Sequence, residues 1–450
     1  MRKFSDLFQP HPDPNLRLTW NAAQLGVLLF SVLPLLGIIN LVFTLLVGCR
    51  QKFRELIRRP LNWGFAIFSL WLIINSFFAY QPAESFLGLA HFLPAFFFFA
   101  VFSELIQTPA QMRRLAWLMV IPGSIVVILG LGQLFLGWSE PEFLQAILAW
   151  TMTASGNPLG RMSANFMYAN ILAIYLLIVF VLGLGLWLDE WQLKNHHHRR
   201  IFGNYTSARF SPFRLSFLSF TIFCSGIGIV LSSSRNAWAI ALLGALALAI
   251  YQGWHWLTAA VVGMAVSVFW AAFGPAPMGQ WLRAIIPHYF WARINEQLYP
   301  DRIPASLRTS QWEFAWTMIQ QRPWTGWGLR NFTPLYQAKT QFWLGHPHNL
   351  LLMFASETGI PATIFFYSLI GWIMAQAVLL MNQYSFDQER DKLIIFSYLM
   401  TFTACILFNM LDISMFEVRV NIPAWILISA MTGVVYHHRS GWAKSDRPFF

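Results

Sequence analysis

The chain has 450 residues, of which 57% are hydrophobic and 11% are charged. Soluble domains carry about 25% charged residues, so this composition excludes a soluble multidomain protein and indicates a membrane protein with many spans. The net charge of +11 indicates cytoplasmic loops and contact with anionic lipid. No segment combines basic and aromatic residues as a nucleic-acid-binding module does, so nucleic acid is not a predicted partner.

Runs of about 20 apolar residues predict the membrane-spanning helices. Such runs lie near 62–80, 85–103, 115–137, 164–187, 214–233, 236–252, 255–273, 355–380, 393–411 and 418–437. The earlier stretch 21–48 is long for one helix and short for two, and Pro34 interrupts it. We therefore predict an all-α polytopic membrane protein with about 12 transmembrane helices, or 11 if the stretch 21–48 forms a single helix.

The distribution of basic residues predicts which loops share a side of the membrane. Arg and Lys are concentrated in the loops 49–61 and 188–214, and Arg113 and Arg114 lie in the loop between these two. Because cytoplasmic loops are enriched in Lys and Arg, all three loops are predicted to face the cytoplasm. The predicted organisation is a cytoplasmic tail (1–20), an N-terminal transmembrane bundle (21–273), a large outer loop (274–348), C-terminal transmembrane helices (349–437) and a second cytoplasmic tail (438–450).

The large outer loop is also basic. The enrichment of Lys and Arg in cytoplasmic loops does not explain this, because the loop is predicted to face the other side of the membrane. Residues 274–345 contain seven basic and three acidic side chains, a net charge of +4. Long loops are translocated largely regardless of their charge, so this excess is compatible with an outer location. An anionic substrate is one cause for the accumulation of cations there.

Two outer segments offer an arginine to such an anion. The sequence SSSRNAW (232–238) is a tight reversal between two spans that leaves Arg235 at the outer surface, where its guanidinium stays charged. In the second segment, SQWEFAWTMI predicts an amphipathic helix near the interface, and Arg308 precedes it. A helix start combined with an arginine is a good anion site. The alternatives are that Arg235 reaches lipid phosphate and that Arg308 is solvated.

A third segment, HPHNLLL, begins the next apolar run and offers His348, followed by Asn349. An unperturbed imidazole titrates near pH ~6.5, so it can accept a proton at neutral pH. Pro347 restricts His346 to an extended conformation, and we rank His346 lower. Glu357 lies within the apolar run, where a carboxylate needs a partner, and we favour a structural hydrogen bond for it over catalysis.

Three further polar residues are weaker candidates for the same outer site. Arg161 and Asn170 lie at the start of one predicted span, and Asp412 lies at the outer end of another. They either line the same cavity or mark the membrane interface.

Two arginines and one imidazole form a coherent set for chemistry on a phosphate ester. Guanidinium groups stabilise the negative charge that accumulates on a phosphate leaving group, and the imidazole of His348 can remove a proton from an attacking hydroxyl. The sequence has no Asp-rich pair or tight carboxylate cluster, so we predict no metal site and no cofactor. The predicted reaction is metal-free transfer of a group from a lipid pyrophosphate to a hydroxyl.

Taken in this order, SSSRNAW, LRTSQWEFAWTMIQQRPWTGWGLRNF and HPHNLLLMFASETGI resemble the O-antigen ligase and polymerase family. The stretch RMSANFMYANILAIYL is similar to an earlier Asn-containing span of that family. The resemblance covers most of residues 150–435, and residues 50–140 resemble the cyanobacterial branch most. It implies a multi-pass protein of the cell inner membrane with about 12 helices, in which 274–348 is a large periplasmic loop and the active site faces the periplasm.

The resemblance also implies a reaction and roles for individual residues. Family members take glycan from undecaprenyl pyrophosphate and attach it to lipid A-core sugar, to a growing polysaccharide or to protein. The pyrophosphate-binding arginines map onto Arg235 and Arg308, and the catalytic histidine maps onto His348. We therefore expect an inverting, metal-independent glycan transferase of the ligase type. The alternatives are a polysaccharide polymerase of the same family and an inorganic-carbon (bicarbonate) transporter, in which the same arginines would bind a small anion.

Overall fold

A computed structural model describes residues 10–140, 150–199, 210–295, 304–383, 388–414 and 416–445, together with Glu142 and Gln145. Within these ranges the regular elements are helices, and the eighteen α-helices are numbered here in chain order. Residues 1–9 and 446–450 belong to the predicted cytoplasmic tails and lie outside the described residues, as do residues 296–303 of the predicted outer loop.

The helices alternate long apolar segments with short ones. The first nine are α1 (Arg17–Phe30), α2 (Pro34–Arg58), α3 (Pro60–Phe77), α4 (Pro82–Leu89), α5 (Leu93–Leu105), α6 (Pro109–Phe135), α7 (Ala169–Arg199), α8 (Pro212–Leu231) and α9 (Arg235–Tyr251). The other nine are α10 (His255–Phe273), α11 (Met278–Ile285), α12 (His288–Ile294), α13 (Arg308–Gln321), α14 (Phe332–Thr340), α15 (Leu350–Thr358), α16 (Ile360–Gln383), α17 (Glu389–Asn409) and α18 (Val418–Ser445).

Ten of the described segments are long and apolar enough to cross a membrane. They are α2, α3, α4 together with α5, α6, α7, α8, α10, α16, α17 and α18. The helix α9 is apolar but shorter, and α1 has 14 residues. The stretch 21–48 thus contains two helices that pack against each other and are separated just before Pro34, as the 12-span alternative requires. Adding α1 and α9 to the ten gives twelve, and this number of crossings stays a prediction.

Two predicted spans are interrupted. The run 85–103 divides into α4 and α5, because Pro94 lies in the first turn of α5, where its missing N–H and fixed φ favour a helix start. The run 355–380 starts inside α15, which ends at Gly359 with a φ of 84°, and α16 then begins at Ile360. A left-handed residue at this position ends a helix, and glycine adopts it without steric cost.

A small second core attaches the outer segments to the helix bundle. Ala315 and Met318 of α13 pack with Phe332 and Tyr336 of α14, apart from the main core that surrounds α7. The helix α13 also packs against α15, and Trp312 Nε1 donates a hydrogen bond to the carbonyl of Pro347 at 3.0 Å. The predicted helix in SQWEFAWTMI is confirmed, and its first turn is held beside the segment that carries His348.

Candidate functional site

A polar cavity of about 410 Å³ lies where the outer segments meet the ends of the bundle helices. The three residues that the sequence predicts as the centre of the site, Arg235, Arg308 and His348, all line this cavity. Besides His348, the ionisable residues among the described residues of its wall are Arg161, Arg235, Arg293, Arg308 and Asp412. Four guanidiniums and a single carboxylate make the cavity strongly cationic.

Arg235 is the first residue of α9, directly after a turn with unusual backbone geometry. Ser234 is the N-cap of α9 and accepts a hydrogen bond from the N–H of Ala237 at 3.5 Å. Ser233 has a φ of 54°, in the left-handed region that non-glycine residues rarely adopt. Such a conformation persists only where surrounding contacts hold it, and it is concentrated at functional sites.

The helix α12 of the outer loop supplies these contacts. Arg293 donates from Nη2 and Nε to the carbonyl of Ser233, at 3.0 and 3.3 Å, and it is only 9% exposed. In return, Arg235 donates from Nη1 to the carbonyls of Arg293 at 3.3 Å and Ile294 at 3.4 Å. This reciprocal pair of arginine–carbonyl contacts fixes the turn and the guanidinium of Arg235 with respect to the outer loop.

Arg308 begins α13, and the segment from Ser306 to Thr309 lines the cavity. The N–H groups in the first turn of a helix have no intrahelical acceptor and carry the positive end of the helix dipole. The first turn and the guanidinium of Arg308 therefore both favour an anion at this wall of the cavity.

The side chain of Gln311, near the start of α13, orients the ring of His348. Gln311 donates from Nε2 to the carbonyl of Ser306 at 3.0 Å, which leaves its Oε1 as the acceptor that lies 2.9 Å from His348 Nδ1. The proton of a neutral His348 is therefore on Nδ1, and Nε2 carries the lone pair. Nε2 lies 3.9 Å from Oδ1 of Asp412. His348 itself has a φ of 51°, a second left-handed residue at the site.

The surroundings lower the pKa of His348, so that it is neutral, and they raise the pKa of Asp412 towards neutral pH. Desolvation, followed by the charges of His346 and Arg308, lowers the pKa of His348 to about 3. Desolvation raises the pKa of Asp412 to about 6, although Arg308, Arg161 and the hydrogen bond from Asn170 act in the opposite direction. The imidazole is thus unprotonated over the whole neutral range, and a negatively charged Asp412 beside it would favour its protonation.

Three of the lower-ranked residues form a chain along the cavity wall. Arg161 donates from Nη2 to Oδ1 of Asn170 at 2.5 Å, and Asn170 donates from Nδ2 to Asp412. Arg161 also donates from Nε to the carbonyl of Ser232 at 2.8 Å, in the turn that leads to Arg235. The structure thus brings Arg161, Asn170 and Asp412 into the same cavity as the central residues.

The other three lower-ranked residues do not line the cavity. Asn349 caps α15, since its Oδ1 accepts the N–H of Leu352 at 3.0 Å. Glu357 is 3% exposed and accepts the N–H of Phe332 at 3.2 Å, which ties α15 to α14. His346 accepts the N–H of His348 on Nδ1 at 3.3 Å. These contacts tie the three residues to the neighbouring backbone, and the structural function favoured for Glu357 stays a prediction.

A possible cation site overlaps the same region. One donor atom each from His346, His348 and Asp412 lies within 4.8 Å of the other two, a spacing that a metal ion could bridge. The arginines of the cavity repel a divalent cation, and they act on Asp412 in particular. A metal-independent reaction stays a prediction, which a chelator tests.

Sequence reasoning did not single out Arg293 and Gln311. Arg293 was one of seven basic residues in the loop 274–345, and nothing in its neighbourhood in the sequence distinguishes it from the others. Gln311 lies three residues after Arg308, a spacing that puts both on one face of a helix. That spacing was the available signal for Gln311.

Comparison with known proteins identifies the segment that carries this site. Residues 220–367 match the family described as O-antigen ligase, and this matched segment, about a third of the chain, contains Arg235, Arg308 and His348. No curated protein matches the chain. The chain is thus a polytopic membrane protein, and its residues 220–367 are similar to the O-antigen ligase family.

Proposed function

We propose that the protein is a glycan transferase of the ligase type, which moves glycan from undecaprenyl pyrophosphate to an acceptor hydroxyl at the periplasmic face. One observation carries the proposal: Arg235, Arg308 and His348 come from three distant segments and line one cavity of about 410 Å³. The family match supports a ligase or polymerase reaction, and the donor and the mechanism are argued from the chemistry of the cavity.

The diphosphate of the donor would lie between Arg235 and Arg308. A guanidinium binds phosphate oxygens through paired N–H donors, and it keeps its charge at any accessible pH. The first turn of α13 adds N–H groups to the same wall. Negative charge on the diphosphate increases as the glycosidic bond breaks, so these cations stabilise the transition state more than the bound donor.

His348 would act as the general base through Nε2. The acceptor hydroxyl oxygen forms a bond to the anomeric carbon of the glycan, while the bond from that carbon to the phosphate oxygen breaks. The proton of the hydroxyl moves to Nε2, and the electron pair leaves with undecaprenyl pyrophosphate. Attack opposite to the leaving group inverts the anomeric configuration. The Asp412 carboxylate, 3.9 Å from Nε2, stabilises the imidazolium that forms.

The test is transfer from a lipid-linked glycan to acceptor by purified protein in the presence of EDTA, with the variants Arg235→Ala, Arg308→Ala and His348→Ala. We expect each variant to lose roughly 100-fold or more in rate, and EDTA to have no effect. Lys339→Ala is the control, because Lys339 is an exposed basic residue of the same loop outside the cavity. Variants that are folded and retain full transfer would remove these roles, and inhibition by EDTA would remove the metal-independent mechanism.

The cationic wall of the cavity also fits a small anion, which keeps the bicarbonate transporter as the second candidate. A transporter would move bicarbonate into liposomes in the absence of any lipid-linked glycan. Flux that depends on Arg308, without glycan transfer, would favour the transporter. The same assay with lipid A-core, polysaccharide and peptide acceptors distinguishes a ligase from a polymerase or a protein-modifying relative.

A further inference from the structure

A second cavity, of about 430 Å³, lies far from the candidate site. It is formed by the start of α3 and by the later halves of α16 and α18. The helix α3 reaches the outer segments near its other end, where Trp71 Nε1 donates to the carbonyl of Thr358 at 3.2 Å. Arg59 precedes Trp71 by twelve residues, and Gln376 follows Thr358 by eighteen, so at ~1.5 Å per helical residue the cavity lies roughly 20 to 25 Å from these contacts.

The wall of this cavity combines two arginines with a large apolar surface. Arg59 is 2% exposed, and it forms an ion pair with Glu104 while its guanidinium carbon lies 3.9 Å from the centre of the Tyr436 ring. Its Nη2 is buried and has no hydrogen-bond partner among the described residues. Arg439, which is exposed, donates to Gln376 at the same wall.

The charge of the cavity favours an anion. No carboxylate lines it in the part of the chain that the structure describes. Glu104 compensates Arg59 from behind the wall, and Arg439 adds a further positive charge. In the first turn of α3, which also lines the cavity, Pro60 has no N–H, and Asn62 and Trp63 donate their N–H groups to the carbonyl of Arg59 at 3.1 and 3.4 Å. The two arginines therefore supply the positive charge of the wall. The basic segment 49–61, most of which is the end of α2, adjoins this end of the bundle.

The remaining wall suits a hydrocarbon chain. Leu61, Ile373 and Val435 contribute aliphatic surface, and Trp372 is 57% exposed beside them. Tryptophan with one apolar and one wet end is typical of the membrane interface. A ligand that satisfies both parts of the wall has an anionic head and an apolar tail.

We propose that this cavity binds an anionic phospholipid, with its phosphate between Arg439 and Arg59 and an acyl chain along Trp372 and Val435. The ligand differs in place from the proposed donor lipid, since the cavity lies at the opposite end of α3, α16 and α18. The bound lipid would join three helices that otherwise leave a gap at this end of the bundle.

The test is native mass spectrometry of the purified full chain titrated with phosphatidylglycerol or phosphatidylcholine. We expect phosphatidylglycerol to be retained about fivefold more than phosphatidylcholine, and Arg439→Gln to remove this preference, since one basic residue near a membrane contributes about that factor. Arg439 is exposed, so this change leaves the core intact. Arg54→Gln is the matched control, because Arg54 is an exposed arginine near the end of α2 and lies outside the cavity.

Three results would overturn the proposal. Equal retention of the two lipids would exclude a site for an anionic head, and an equal loss in Arg54→Gln would show attraction to surface charge in general. Displacement of phosphatidylglycerol by glycerol 1-phosphate at equal concentration would show a site for free phosphate instead of lipid.

Discussion

Asp412 and Glu357 are two acidic residues near the outer end of the bundle whose ionisation falls close to neutral pH. Burial raises the pKa of Asp412 to about 6 and that of Glu357 to about 7. Asp412 lines the cavity and faces His348. Glu357 lies outside the cavity and accepts a hydrogen bond from the N–H of Phe332. Only the ionisation of Asp412 is therefore expected to influence catalysis directly.

We expect the transfer rate to fall as the pH drops below about 6, because protonated Asp412 no longer stabilises an imidazolium. His348 titrates near pH 3, so it does not contribute to this limb. Asp412→Asn should lower the rate roughly tenfold or more and make it independent of pH between 5 and 7. The measurement is a pH–rate profile for transfer under single-turnover conditions.

Glu357→Gln is the control for this profile. The amide keeps an acceptor for the N–H of Phe332 and removes the other acid that titrates in the range. The limb near pH 6 should persist in Glu357→Gln. Loss of this limb in Glu357→Gln would contradict its assignment to Asp412. A limb that remains in Asp412→Asn would contradict it as well.

At the scale of elements, the loop after α13 packs closely against α15 at glycine positions, where a side chain would clash with the α15 backbone. Gly326 has a φ of 68°, and a Cβ there would meet the backbone carbon of Glu357 at 2.4 Å. The neighbouring N–H groups of Trp327 and Gly328 donate to the carbonyls of Ser356 and Glu357, at 3.0 and 2.8 Å. The close approach of the two backbones thus depends on the absence of a side chain.

We expect Gly326→Ala to destabilise the protein by about 2 kcal/mol or more, because it combines an unfavourable φ with a backbone clash. The measurement is the thermal unfolding midpoint in detergent. Gly371→Ala is the matched control, since Gly371 lies within α16 and a Cβ there meets nothing within 4 Å. This control should be neutral or slightly stabilising. Equal midpoints for Gly326→Ala and the unchanged protein would show that the loop is not held in this way.

The sequence predicted the elements whose signal is local. Hydrophobic runs identified most of the long helices, and the segment SQWEFAWTMI identified α13. The division of α15 from α16 was not predicted, because hydrophobicity continues across Gly359. The Trp324 carbonyl, which a Cβ at Gly359 would meet at 2.3 Å, lies 35 residues away in the sequence. Arg293 was missed for a similar reason, since its importance comes from the carbonyl of Ser233, 60 residues away.

At the scale of the whole molecule, the proposed reaction requires the candidate site and the basic loops to face opposite sides of the membrane. The basic residues of the segment 49–61 lie in the last turns of α2 and directly after it, whereas Arg308 and His348 belong to the segments between α12 and α15. Basic loops remain in the cytoplasm during insertion, so the site should face the periplasm.

We expect a membrane-impermeant maleimide to label Trp343→Cys but not Glu55→Cys in intact spheroplasts. The Trp343 side chain is 67% exposed and that of Glu55 is 51% exposed, so both substituted thiols are accessible to reagent on their own side. Cys49 should be replaced by serine, since it lies near Glu55 and is partly exposed. Both variants should react after permeabilisation, and labelling of Glu55→Cys in intact spheroplasts would reverse the orientation.

The contacts between α13 and the segment 346–348 have a consequence for the fate of an activated lipid. Gln311 forms a hydrogen bond with the ring of His348, and Trp312 donates one to the carbonyl of Pro347. We therefore expect His348 and Arg308 to move together as one unit. If this unit separates from the bundle, both leave Arg235 together. Under the proposed mechanism, such a separation would remove the base and one diphosphate-binding arginine together, which would limit hydrolysis of the donor by water.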